Sequence, residues 1–286
     1  MKRIFLILTM IFVAFPALAA NKIVASYPPI QSLVWGITEG ITPVNAIFVK
    51  AQEGHHDIQL KPSQMKVLKG ADIVFYASDD LETFMEDALK AVAPNAKAYS
   101  LMKEIPELNL LPSLQNPEKK DVHYWLDTNN ALLMLDKIAD IMIENDPKNK
   151  DKYEANRDKA KTYVHQLQND KEKPDSSKKF IAFHEGFGYM ARSFDLNIQT
   201  SDVDIENIDT PQAAYKLKQQ MAKTDADCFL IEPQISQKQL KNLDLRRKKN
   251  IVRMDAFGWN IDGGPGQYYR MMRWNLKALY KCKAKK

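Results

Sequence analysis

Histidine is scarce in this 286-residue chain, and its placement is uneven. Of the five histidines, His55 and His56 stand side by side in Glu53-Gly54-His55-His56-Asp57. His123 opens His123-Tyr124-Trp125-Leu126-Asp127, and His184 directly ends the apolar run 180–183. Asp255 follows another such run, 250–254. Imidazole is a borderline ligand that suits zinc, and a carboxylate can complete a tetrahedron around it. One histidine from each of three distant segments, His56, His123 and His184, is expected to converge on one metal ion, with Asp255 as the fourth ligand. A lone histidine is more often structural or merely exposed. What sets these apart is their common position at the ends of elements, where open α/β sheets bind ligands. His165 falls in the middle of a polar helix and reads as a surface residue. His55 reads as a neighbour of the ligand rather than a ligand.

The elements that must position them alternate. Residues 22–27, 44–49, 71–76 and 97–101 read as strands, with helices starting near Ile30, Pro62 and Asp79-Asp80, where carboxylates meet the positive end of the helix dipole. Regular strand–helix alternation argues for a parallel sheet covered on both faces. Residues 103–122 are polar and proline-containing, a loop. Residues 129–144 carry an apolar helical face. Residues 148–170 form a helix poor in large apolar residues, and such a helix is either an exposed flank or a bridge between domains; the bridge is favoured. Alternation then restarts, with strands at 180–183, 197–203, 228–231 and 250–254 and helices at 186–194, from Thr210-Pro211, at 234–243 and at 266–281. The expected organisation is a leader over 1–19, an N-terminal α/β lobe over 20–147, a linking helix over 148–170 and a C-terminal α/β lobe over 171–286.

The leader has Lys2 and Arg3, an apolar run over 4–15 and the small residues Ala17-Leu18-Ala19. That is the pattern of a secretory signal peptide, too short to span a bilayer comfortably. The mature protein is expected outside the cytoplasm, most simply in a periplasm. Loss of Lys2 and Arg3 lowers the net charge from +5 to +3, which gives no reason to propose a nucleic-acid partner. The only cysteines are Cys228 and Cys282. An oxidising compartment and an even count favour a disulfide, the alternative being a pair of metal thiolates.

Several motifs resemble a known family. Gly54-His55-His56-Asp57, Leu60-Lys61-Pro62-Ser63, Leu68-Lys69-Gly70-Ala71-Asp72, Leu81-Glu82-Thr83-Phe84-Met85 and His123-Tyr124-Trp125-Leu126-Asp127 are similar to the metal-binding solute-binding proteins of ABC importers, the TroA-like superfamily. Phe183-His184-Glu185-Gly186-Phe187-Gly188-Tyr189, Glu232-Pro233-Gln234 and Met254-Asp255-Ala256-Phe257-Gly258 continue the likeness in the same order. The zinc-uptake branch, of ZnuA type, matches better. The resemblance implies two α/β lobes, each with a small, mostly parallel sheet, joined by one long rigid helix, with a metal in the cleft between them. It carries the ligand role to His56, His123 and His184, offers Asp255 as the fourth, and fits a Cys228–Cys282 disulfide. Two features depart from it: residues 103–122 hold no histidine, where many zinc-branch members have a histidine-rich loop, and Ala256-Phe257 stands where Pro-Leu is common.

The expected function is capture of Zn²⁺, as transported ligand, and its delivery to a membrane permease by a monomer that is not an enzyme. Manganese or iron is the first alternative; three imidazoles tilt the choice to zinc, because manganese-uptake members place a glutamate where His184 stands. A zinc hydrolase with Glu185 as base is a further alternative, against which no H-E-x-x-H motif occurs. An adhesin role has nothing specific in the sequence behind it.

Overall fold

The computed structural model describes residues 21–50, 60–170, 174–201, 210–233, 235 and 251–282. The expected helix at 234–243, the leader and the His55-His56 pair therefore lie outside the described residues.

Two four-stranded sheets, parallel throughout, are built in succession. The first contains β1 (Ile23–Ala25), β2 (Val44–Ala46), β3 (Ile73–Tyr76) and β4 (Lys97–Ser100) in the order β2-β1-β3-β4. The second contains β5 (Lys179–Ala182), β6 (Asn197–Thr200), β7 (Cys228–Ile231) and β8 (Ile251–Arg253) in the order β6-β5-β7-β8. Central strands β1 and β7 are buried along their whole length, and their runs Ile-Val-Ala and Cys-Phe-Leu-Ile are apolar throughout, as a strand covered on both faces requires. In each sheet the chain steps to one side and then returns to the other. The strand order reverses between β1 and β3, and again between β5 and β7, and crevices open at such switch points.

The first sheet is flanked by α1 (Pro28–Thr38), α2 (Pro62–Leu68), α3 (Met85–Val92) and α4 (Leu101–Glu104). A 3-10 turn, Tyr124–Leu126, leads into α5 (Thr128–Asn145), whose N-cap Asp127 accepts from the Asn129 amide at 2.7 Å. After α6 (Lys150–Gln168), the second sheet is flanked by α7 (Phe187–Phe194), α8 (Pro211–Lys223) and α9 (Gln267–Tyr280). Thr210 caps α8 by accepting from the Ala213 amide, with Pro211 in the first turn, as its sequence predicts.

Helix α6 is about 28 Å long at 1.5 Å per residue. It lies between the two sheets in chain order and is not free-standing. Tyr153, Val164 and Leu167 are buried, and the helix packs against α5, α1 and α9. One continuous apolar core runs from Ile23 and Val74 of the first sheet, through Trp125, to Phe180 and Leu230 of the second. A smaller cluster around Phe183, Leu217 and Phe229 sits on the other face of the second sheet. Cys228 and Cys282 form a disulfide with Cα atoms 6.2 Å apart, tying the start of β7 to the chain just beyond α9. Closing that 54-residue loop stabilises the fold by about 4 kcal/mol in the chain-entropy account.

The helix expected from Asp79-Asp80 begins only at Met85, and Glu82 is the reason. Its buried carboxylate turns back to accept the amides of Ala77 at 2.9 Å and Ser78 at 2.8 Å. This folds 78–84 into turns and closes the C-terminal end of β3. Burial pushes the Glu82 carboxyl up to about 7, against the pull of Ser26 and of the two amides. Between an ordinary value of 4.5 and about 7, the folded state keeps a proton that the unfolded chain has released. Glu82 should therefore make stability fall as pH rises through that window. The urea-unfolding free energy of the native protein, relative to Glu82→Gln, is expected to drop by up to about 3 kcal/mol from pH 5 to pH 7. A difference that is flat or rising with pH would contradict the assignment.

Candidate metal centre

His184 lies two residues beyond β5 and Glu232 directly beyond β7, so the pair flanks the switch point of the second sheet. Both are buried, and His184 Nδ1 lies 2.8 Å from Glu232 Oε2. Burial alone would raise the Glu232 carboxyl; the neighbouring His184 and His123 rings outweigh it and hold the group below the usual range. The other oxygen of Glu232 accepts from the Ala256 amide at 3.3 Å, which links it to the loop after β8.

His123 comes from the other lobe, at the entry to the 3-10 turn. Asp121, two residues earlier and also buried, fixes it twice: one carboxylate oxygen lies 2.9 Å from the His123 amide and 2.8 Å from Nδ1. A carboxylate on Nδ1 selects the tautomer whose Nε2 carries the lone pair, and it makes that nitrogen a better donor to a metal. In the second lobe Glu232 Oε2 stands at the same distance from His184 Nδ1. The two rings meet edge to face, their centroids 4.9 Å apart and their planes at 86°. His123 also packs edge-on against Trp125 and Phe257, each with ring centroids 5.5 Å away.

This contact is possible because residue 186 is glycine. A Cβ there would lie 2.7 Å from Cγ and 2.9 Å from Nδ1 of His123, and the backbone adopts a φ of +120° that side chains disfavour. Gly186 thus clears the space in which the first lobe's histidine enters the second lobe.

Asp255 is fully buried at the end of β8. One of its oxygens accepts the amides of Gly258 at 2.7 Å and Trp259 at 3.1 Å, and the other accepts Asn260 at 2.9 Å. Burial holds the carboxyl above its ordinary value in spite of these amides. The loop it shapes aims Phe257 at His123, and Asn275 grips the Asp255 backbone from α9 with bonds of 2.8 and 2.9 Å. Of the four ligands expected from the sequence, the structure brings His123 and His184 together, sets Asp255 in the adjoining loop with its oxygens engaged there, and leaves His56 outside the described residues. Among the described residues no three His, Cys, Asp or Glu side chains are gathered as a metal-binding group. His165 is exposed on α6 beside Gln168, as its position predicts.

Sequence reasoning missed Asp121, Glu232 and Gly186 as working parts. Glu232 gave a usable signal: it ends a strand just as His184 and Asp255 follow theirs. Asp121 gave only its nearness to His123.

Two parallel α/β lobes, packed on a long helix and bringing one buried imidazole each into contact, fit a metal-binding solute-binding protein of the ABC-importer type. The profile of the family described as ZnuA, zinc-uptake complex component A, periplasmic, matches residues 23–282, and the chain belongs to that family. It is 24% identical over 311 aligned positions to the high-affinity zinc uptake system protein ZnuA of Brucella suis, covering 92% of each chain. It is 27% identical to the metal ABC transporter substrate-binding lipoprotein FimA of Streptococcus parasanguinis, covering 78% of this chain and 77% of that one. The fold also matches that of the solute-binding protein FpvC of Pseudomonas aeruginosa, solved with Mn²⁺, at a TM-score of 0.75 and 16% identity over 92% of this chain and 97% of that one.

Two substitutions test this construction. Gly186→Ala is expected to push the His123 ring aside and to weaken metal binding at least about tenfold, because the Cβ meets ring atoms rather than a yielding side-chain tip. Glu232→Gln removes the carboxylate facing His184 Nδ1, and calorimetric titration should show a loss of affinity of about 10- to 100-fold. Native affinity in both variants would refute the roles given to these residues.

Proposed function

We propose that the protein captures Zn²⁺ in a periplasm and hands it, as a monomer, to the membrane permease of an ABC importer. The observation that carries this reading is the pair of buried imidazoles, His123 and His184, contributed by different lobes and set 4.9 Å apart, each with a carboxylate on Nδ1. His56 supplies a third imidazole and Asp255 the fourth ligand, through lone pairs left over from its amide bonds. The zinc named in the family description and in the Brucella relative supports the choice of metal. So does the donor set, since a nitrogen-rich site favours zinc over manganese. The lobes divide as 20–147 and 171–286 about the helix at 148–170, and the leader over 1–19 directs export. No helix among the described residues is long and apolar enough to cross a membrane.

Binding, not catalysis, is the role. Glu185, the one carboxylate beside His184 in sequence, spends both oxygens on Ser113, Leu114 and Gln115 and is not placed as a base for a metal-bound water.

Titration with Zn²⁺ and Mn²⁺ tests the reading. Native protein should bind one Zn²⁺ more tightly than Mn²⁺, and His184→Ala should lose more than about 100-fold in zinc affinity. Affinity should also fall steadily from roughly pH 7.5 to 5.5, because protons compete for the imidazoles. Tighter Mn²⁺ binding would move the assignment to manganese uptake, and unchanged zinc affinity in His184→Ala would overturn the site.

A further inference from the structure

The loop expected over 103–122 begins at 105, after α4, crosses from the first lobe and is fastened to the second. The segment folds on itself: Ser113 N donates to Lys119 O at 3.0 Å, Asp121 N donates to Leu111 O at 2.9 Å, and Pro112 bridges to Lys120. Tyr189 of α7 holds both legs of this strap. Its hydroxyl accepts from the Leu111 amide at 3.0 Å and donates to the Asp121 carbonyl at 2.7 Å. Arg192 adds a bond from Nη2 to the Asn109 carbonyl at 2.7 Å. The tip of the strap is held differently. Leu114 is 66% exposed and contributes little packing there. Within the tip Ser113 Oγ accepts the Gln115 and Asn116 amides, both at 3.2 Å, and across the lobes Glu185 holds it: one oxygen accepts Ser113 Oγ at 2.8 Å, the other Leu114 N at 2.7 Å and Gln115 N at 3.3 Å.

The position of these groups gives the strap a consequence. Glu185 follows His184 in the chain, and the strap ends at Asp121, which orients His123. One lobe's histidine is therefore tied to the other's through Asp121, the strap and Glu185. An ion held by both imidazoles leaves only when His123 and His184 part, and parting them pulls on the strap.

We propose that Glu185 is a latch between the lobes: it takes no part in ligation, and by clamping the strap at 113–115 it lengthens the lifetime of the bound ion. This rests on the cleft being the metal site. Charge-assisted bonds of this kind are stronger than neutral ones, and a carboxylate can accept at both oxygens where an amide cannot.

Glu185→Ala tests the latch, since it removes Oε2, which accepts both amides, and Oε1, which accepts Ser113 Oγ; a glutamine would keep the amide bonds by turning its oxygen to them and its NH₂ to the hydroxyl. Two readouts apply: hydrogen exchange of the Leu114 and Gln115 amides in metal-free protein, and stopped-flow release of Zn²⁺ to an excess of chromogenic chelator. In Glu185→Ala, exchange at the Leu114 amide should accelerate about tenfold or more, exchange at Gln115 less because Ser113 Oγ also accepts that amide, and Zn²⁺ should leave about tenfold faster while one ion per chain is still bound. Ser113→Ala, which keeps the two amide bonds to the carboxylate but removes the hydroxyl that joins Glu185, Gln115 and Asn116, should also speed release, with exchange rising at Gln115 more than at Leu114. Unchanged exchange at Leu114 in Glu185→Ala overturns the latch, as does faster exchange with unaltered release. Native protein that takes up no Zn²⁺ overturns the metal reading instead, and the exchange rates of the metal-free variants then decide by themselves whether Glu185 clamps the strap.

Discussion

The centre of this molecule depends on one close approach: the ring of His123, from the first lobe, lies against the bare Cα of Gly186 in the second. Any side chain at 186 would occupy the space of the imidazole. Because the approach is allowed, His123 and His184 face one another across the lobes. Each has a carboxylate of its own lobe beside Nδ1, Asp121 for His123 and Glu232 for His184.

That approach is stable because the lobes meet over a packed seam rather than an open hinge. Tyr27 stacks on Phe48 within the first lobe and reaches Phe257 of the second, and Phe257 stacks on Trp259. Trp125 donates to the Ala256 carbonyl, and Tyr268 of α9 donates back to the Trp125 carbonyl. Arg192 reaches from α7 to the buried Asp127 with bonds of 2.9 and 2.6 Å. Helix α6 packs against α1, α5 and α9. Large hinge closure would have to break this seam.

Carboxylates do different work at the two switch points. In the first lobe, Glu82 turns inward on the amides of Ala77 and Ser78 and closes the end of β3. In the second, Glu232 faces His184 and supports the loop of Asp255. The same group, at corresponding places in two similar sheets, serves fold closure in one lobe and ligand orientation in the other. The difference follows from what stands beside it: backbone amides in the first case, an imidazole in the second.

The sequence by itself determined the alternation of strands and helices, the parallel class of the sheets, the Thr210-Pro211 helix start and the nomination of His123 and His184. These depend on local periodicity, on capping chemistry and on a scarce residue type at element ends, all visible in short windows. It misjudged the start of α3, because the Glu82 carboxylate competes for backbone amides in a way that pattern does not reveal. It left open how α6 packs, since only the packed structure shows which of its few apolar residues, Tyr153, Val164 and Leu167, are buried. The partners of the histidines were decided by tertiary structure alone. Asp121 is the local exception, two residues from His123; Gly186, Glu185 and Glu232 acquire their roles from contacts 48 to 72 residues apart in the chain, and no local preference encodes such a contact until the segments have been brought together.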